Sequence, residues 1–230
     1  MSYNRVGDVQ QLQGDLQAAL KSYQNGLAIA DRLVKSDPGH AGWQSDLAVS
    51  YINVGDVQVT QGDLQTALKS YRDSLAITAR LVKSDPGNAD WQRDLAVSYI
   101  KVGDVQVQQG GLQAALQSYS DSQAIFDRLV KSDPGNAGWQ RDLSVSLGKL
   151  ALVHWHSGDK AKASAFLQQG QAIMARLTKL SPDNVVWKKD LEWFDRRSKR
   201  WTIAPVIARH RPGHRNTHDK SLDARLNPRT

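Results

Sequence analysis

Apolar residues in the middle of the chain recur at steps of three and four. Trp43, Leu47, Tyr51, Val54 and Val57 form one line, with Ala48, Ile52, Gly55 and Val59 beside it. A stripe this broad predicts an amphipathic helix over about 42–61. Gly62-Asp63 interrupts it, Gly suiting a left-handed helix end and Asp the next N-terminus. A second stripe follows through Leu64, Ala67, Leu68, Tyr71, Leu75, Thr78, Leu81 and Val82. It stops at Ser84-Asp85-Pro86-Gly87, because Pro cannot continue a helix and disfavours helical geometry just before itself. The predicted unit is a helical hairpin with two short loops.

That unit recurs every 48 residues. Ser50–Val97 and Ser98–Val145 differ at eleven positions, and Trp43, Trp91, Trp139 and Trp187 mark the period. One hairpin cannot bury its own apolar face, so a fixed period of this size predicts a stacked array. The copies divide as residues 1–49 (first helix truncated), 50–97, 98–145 and a diverged 146–184. A capping helix over 185–201 and a basic, disordered tail over 202–230 are expected to follow. The expected fold class is all-α, a right-handed solenoid of antiparallel helical hairpins.

Tyr51, Val54, Gly55, Gly62, Ala67 and Tyr71 have the spacing of the tetratricopeptide repeat. Tyr3, Val6, Gly7, Gly14, Ala19 and Tyr23 repeat it, as do Tyr99, Val102, Gly103, Gly110, Ala115 and Tyr119. Over about residues 1–187 the chain therefore resembles that family. Gly55 and Ala67 are small where the paired helices cross, and Tyr71 fills space toward the following unit. The chain departs from the family at Gln58, at Ser74 and in its period, since the family repeats at about 34 residues. Each helix is expected to be about two turns longer, with Trp91 and its equivalents anchoring the added turns. The linker DPGNAxWQRDL is similar to that of bacterial multidomain arrays which accompany a separate effector domain. No effector domain is evident here.

The two ends differ. At Ser2-Tyr3 the sequence enters midway through a first helix, and copy one has no polar capping face, as expected of a fragment or late-started version of a longer array. In copy four Ala151 replaces the small Gly, and His154-Trp155-His156 replaces Gln-Val-Gln. The last helix should turn Trp187, Leu191, Phe194 and Trp201 inward, under Lys188, Lys189, Arg196, Arg197, Lys199 and Arg200.

Charge follows the same division. The chain carries 30 Lys+Arg and 23 Asp+Glu, net +7, but residues 1–187 hold 18 of each sign. All of the excess lies in 188–230, so the array itself should not draw polyanions over long range. The basic end lacks the interleaved aromatic residues of a stacking platform, which argues against nucleic acid as a partner. No cysteine, no run of 18 apolar residues and no basic start followed by an apolar core are present. A cytoplasmic protein with no disulfide framework, membrane span or signal peptide is expected.

The resemblance implies that first helices line a concave face that takes extended peptides or partner helices. Carried over residue by residue, the groove positions are Asn4, Asp8 and Gln11, then Ile52, Asp56 and Val59, then Ile100, Asp104 and Val107. Asp8, Asp56 and Asp104 would form an acidic ladder suited to a ligand alternating basic and apolar residues. Alternatively, these aspartates are solvated or bond a neighbouring helix. The family's clamp for an acidic C-terminal peptide needs Lys and Asn where this chain has Asn4, Ile52 and Ile100, and then the three aspartates. Those aspartates would repel a carboxylate.

His154 and His156 lie two apart, on different helix faces, so they do not converge on a metal. His210, His214 and His218 have four-residue spacing, but Pro212-Gly213 breaks the helix that would align them. There is no Gly-rich phosphate loop and no GxSxG elbow, and Arg93-Asp94 recurs in the linkers as a structural feature would. No catalytic residue, metal or cofactor is expected. The sequence reads as a non-catalytic scaffold that binds a protein or peptide in its groove. The alternative is a structural array that self-associates through its uncapped first repeat. A third reading, an adaptor for anionic polymers, would use Arg196–Arg229.

Overall fold

A computed structural model describes the backbone of residues 2–208 and the side chains of 3–201. The histidines at 210, 214 and 218, and the basic residues beyond 208, lie outside the described residues. Nine α-helices and no strands are present among those described: α1 (Ser2–Leu12), α2 (Leu16–Ser36), α3 (Ala41–Thr60), α4 (Leu64–Ser84), α5 (Ala89–Gln108), α6 (Leu112–Ser132), α7 (Ala137–His156), α8 (Lys160–Leu180) and α9 (Val185–Ala208). They fall into two compact units, 1–133 and 134–230. The fold is an all-α helical repeat.

The loops repeat the same devices. Gly62 takes φ +83°, with Gly14, Gly110 and Gly158 equivalent, a conformation open to glycine at little steric cost. Asp63 then accepts from Thr66 N at 3.1 Å, as Asp15 and Asp159 do from Ala18 and Lys162. Gly111 holds the same place before α6 and makes no side-chain cap. At the longer loop, Asn88 caps Trp91 N, and Gln92 Nε2 donates to Pro86 O at 2.7 Å, tying the loop to the next helix.

In the first unit, paired helices α1/α2, α3/α4 and α5/α6 stack through α2 on α3 and α4 on α5. Two apolar seams repeat: Ala19 and Tyr23 with Val54 and Val57, and Ala67 and Tyr71 with Val102 and Val105. Tyr71 thus does meet the following hairpin, but its ring also lies over Gly55 in its own. A Cβ on Gly55 would stand 2.5 Å from Tyr71 Cε1, and Gly7 and Gly103 stand alike under Tyr23 and Tyr119. The glycine admits a ring, which corrects the expectation that it serves close helix crossing. Trp91 packs with Leu47, Ala48, Ile77 and Leu81, the contact of the lengthened helices.

The second unit holds the α7/α8 hairpin and α9. Phe194 and Trp201 are buried with Ala163, Leu167, Met174 and Leu177, and Trp187, Leu191 and Trp193 pack partly against them. Trp155 stacks on Trp201 with ring centroids 4.3 Å apart, and Lys160 Nζ lies 3.6 Å from the centre of the Trp155 ring. His154 stacks on Phe166, and burial lowers its pKa. The divergent His-Trp-His segment is therefore part of the seat of the last helix. That helix runs on to Ala208, past the boundary at Trp201 where its apolar period ends.

Candidate functional site

The nine positions carried over from the resemblance all lie in the first unit, on α1, α3 and α5, and each is exposed or half-buried. Their geometry follows from the tyrosine on each second helix. Tyr23 donates to Asp8 Oδ1 at 2.7 Å, Tyr71 to Asp56 Oδ1 at 2.5 Å, and Tyr119 to Asp104 Oδ1 at 2.7 Å. Burial, then the adjoining carboxylate, raises the pKa of all three phenols, so they stay protonated donors. Two residues on, Gln10, Gln58 and Gln106 accept from Ser22, Ser70 and Ser118. The ladder is thus a row of intra-hairpin tethers as well as a row of charges.

Asp56 has a further partner. Lys101 Nζ on α5 lies 2.5 and 2.8 Å from its two carboxylate oxygens, with both side chains largely buried. At Asp8 the corresponding residue of the following first helix is Asn53 instead of Lys. Asp8 is exposed and accepts from Tyr23, whereas Asp56 is neutralised. Sequence reading missed Lys101 because the pair joins residues 45 apart. That separation becomes meaningful only when consecutive first helices are laid side by side.

The other positions divide between face and seam. Ile52 and Val59 pack against the Ala67, Tyr71, Val102 and Val105 cluster, so each supports the stack while staying partly accessible. Ile100 and Val107 are half-buried at the equivalent places on α5. Gln11 accepts from Tyr23 Oη at 3.2 Å. Asn4 Oδ1 is buried with no hydrogen-bond partner and faces Gly26, where a Cβ would stand 2.8 Å away.

Among the described residues no cluster of three or more His, Cys, Asp or Glu side chains could hold a metal. His154 Nδ1 lies 3.8 Å from Asp159. Among the same residues no helix is long and apolar enough to cross a membrane.

The tetratricopeptide repeat family model matches residues 1–80, and the hairpin it covers recurs in register beyond them. Over those 80 residues the chain is thus similar to the tetratricopeptide repeat family. No curated protein matches it by sequence. Among solved structures it is similar to the apo form of RapI, at 13% identity and a TM-score of 0.60, over 90% of this chain and 67% of that one. It is also similar to the Q17M form of nearly identical TPR-like repeats assigned to a kinesin light chain of Podosopora anserina. That likeness has 16% identity and a TM-score of 0.60 over 91% and 92% of the two chains. Identities this low speak for the fold. Tetratricopeptide repeat proteins act in general as protein-interaction scaffolds.

Proposed function

We propose that the chain is a non-catalytic scaffold that holds a segment of a partner protein along the first-helix face of α1, α3 and α5. The observation that carries this reading is the row formed by Asn4, Asp8, Gln11, Ile52, Asp56, Val59, Ile100, Asp104 and Val107. It remains at least partly accessible while its aspartates are fixed by buried tyrosines. Fixed acceptors cost less ordering entropy when a ligand arrives. Because Lys101 neutralises Asp56, the middle of the face favours an apolar segment, and the exposed Asp8 favours a basic residue at the α1 end.

A displayed peptide library selected on the full chain tests the reading. Enriched peptides should carry apolar residues with a basic one at one end. They should lose about tenfold or more in affinity for Asp8→Lys/Ile100→Glu, if one charge reversal and one lost apolar contact each remove about 1 kcal/mol. Peptides that bind wild type and variant equally would place recognition elsewhere.

A further inference from the structure

The repeat supplies its own comparison at one loop. In the second unit α8 ends at Leu180 and α9 begins at Val185. Leu180, Val185 and Val186 are 73%, 62% and 47% exposed. The same positions hold Ser84, Ala89 and Asp90 in the loop after α4, and Ser132, Ala137 and Gly138 in the loop after α6. Those are small or polar residues, as suits a corner open to water. Ser84 and Asp90 are exposed and Ala89 is half-buried, although their hairpin has another stacked on each side. Exposure at these positions therefore belongs to the corner itself, whatever precedes or follows the hairpin. Copy four fills the corner with a leucine and two valines. The corner is also held in place: Ser181 N donates to Leu177 O and Asn184 N to Ser181 O, each at 3.1 Å. Asn184 Oδ1 accepts from Trp187 N, and Trp187 packs partly against the core, so both valines stand on an anchored first turn. Lys179, Lys188 and Lys189 are exposed around them, and Lys188 stands where the other copies have Gln. Asp183 is the acidic residue of the loop, whereas Asp190 is paired with Arg141 and Glu192 with Arg196.

We infer that this corner docks on an anionic lipid surface, with Leu180, Val185 and Val186 entering the interface and the three lysines meeting the headgroups. Single apolar side chains at a surface are ordinary, but three gathered at one loop make a patch. Such side chains gain by leaving water for the acyl boundary. Lysine stems lie along apolar surface while their ammonium groups stay at the depth of acidic headgroups. A protein partner fits less well, because the centres of protein interfaces are depleted in lysine. The chain beyond residue 208 also fits less well. Its six basic residues against Asp219 and Asp223 would bring like charge to the lysines. Toward an anionic surface that same excess adds to the attraction.

Co-sedimentation of the full chain with vesicles of phosphatidylcholine and phosphatidylserine, mixed three to one, tests this. Saturable binding is expected, and weaker binding to phosphatidylcholine alone. Leu180→Ser/Val185→Ala/Val186→Gly installs the residues found after α6 and should weaken binding about tenfold or more, since the inserted apolar surface is lost. Those residues already serve the same corner, so the triple variant should keep the wild-type circular dichroism spectrum and melting temperature. Lys188→Gln/Lys189→Ser, the residues of copy one, should weaken binding several-fold and flatten its dependence on salt. The chain has no cysteine, so Val186→Cys can carry a single environment-sensitive dye. Its emission should shift to the blue on adding mixed vesicles, while the same dye on Ser132→Cys should not respond. Four results would overturn the inference. The first two are no binding by wild type and no blue shift at position 186 in bound protein. The third is equal binding by the triple variant, which would assign adsorption to the basic stretch 188–230 alone. The fourth is a lipid-free sedimentation mass that rises with concentration in wild type and not in the triple variant, which would assign the patch to a second copy.

Discussion

Two positions show how the same seam is built with different side chains. Between α4 and α5, Ser74 Oγ and Ser98 Oγ lie 3.1 Å apart, a small residue facing a small one. Two periods later the second unit sets Gly170 of α8 against Phe194 of α9, where a Cβ on the glycine would come 2.5 Å from the ring. Volume lost on one helix is regained on the other, as close packing requires. Gly170→Ser alone should destabilise the second unit by about 1–3 kcal/mol through overpacking. In a Phe194→Ser background it should be nearly neutral. Urea unfolding followed through near-ultraviolet dichroism, with the four proteins of the cycle, measures that coupling.

The second case is ionic. Arg141 Nε donates to Asp190 Oδ2 at 2.6 Å across the α7–α9 contact, whereas the equivalent position before Asp94 is Ser45, whose hydroxyl lies 3.5 Å from the carboxylate. Burial raises the Asp94 pKa, despite the adjoining Arg93. A folded-state value above the unfolded one contributes stability below the unfolded pKa and loses it as pH rises through the folded pKa, so ionised Asp94 weakens this seam at neutral pH. Ser45→Arg should therefore add about 1 kcal/mol at pH 7. The gain should shrink as pH falls through the Asp94 transition, and it should be absent in Asp94→Asn. Thermal melts across pH 3–7 would show whether it does.

At the level of elements, α1 has 11 residues where α3 has 20. The early half of α3 brings Leu47 and Ala48 against Ile77 and Leu81 of α4, leaving those two 5% and 2% exposed. Their counterparts on α2, Ile29 and Leu33, are 37% and 38% exposed. Helices held mainly by an apolar face open where that face is thin. Amide exchange should accordingly be at least about tenfold faster over residues 29–36 than over 77–84, measured by mass spectrometry on the full chain. Equal protection would mean that cover by a neighbouring helix does not govern local opening here.

For the molecule as a whole, the elements were legible because each device is local. A three-to-four residue stripe, a Gly-Asp break and a Ser-Asp-Pro-Gly stop placed α3 and α4 within a few residues of where they lie. Repetition carried that reading along the chain. What stayed hidden depends on side chains meeting across the period: Lys101 on Asp56, Phe194 over Gly170, and Tyr71 over Gly55. The first two need the superposition of neighbouring units, and the third needs to know which way a ring turns. The acidic ladder was readable as a row of aspartates. Its tyrosine tethers were not, because residues 15 apart in sequence reveal a contact only once the hairpin angle is known.

The near-identity of the middle copies has a consequence for how such a chain varies through descent. Within the first unit the seams join neighbouring hairpins, and the α2–α3 and α4–α5 seams share the same buried Ala, Tyr and two Val and the same three flanking Leu. Excising or duplicating one 48-residue stretch would therefore rejoin equivalent surfaces and leave every loop intact. Recombination between near-identical stretches of coding sequence could lengthen or shorten the array in whole units at small cost to folding. The number of ladder positions offered to a partner would then change in steps, while the helix that closes the C-terminal hairpin stays as it is.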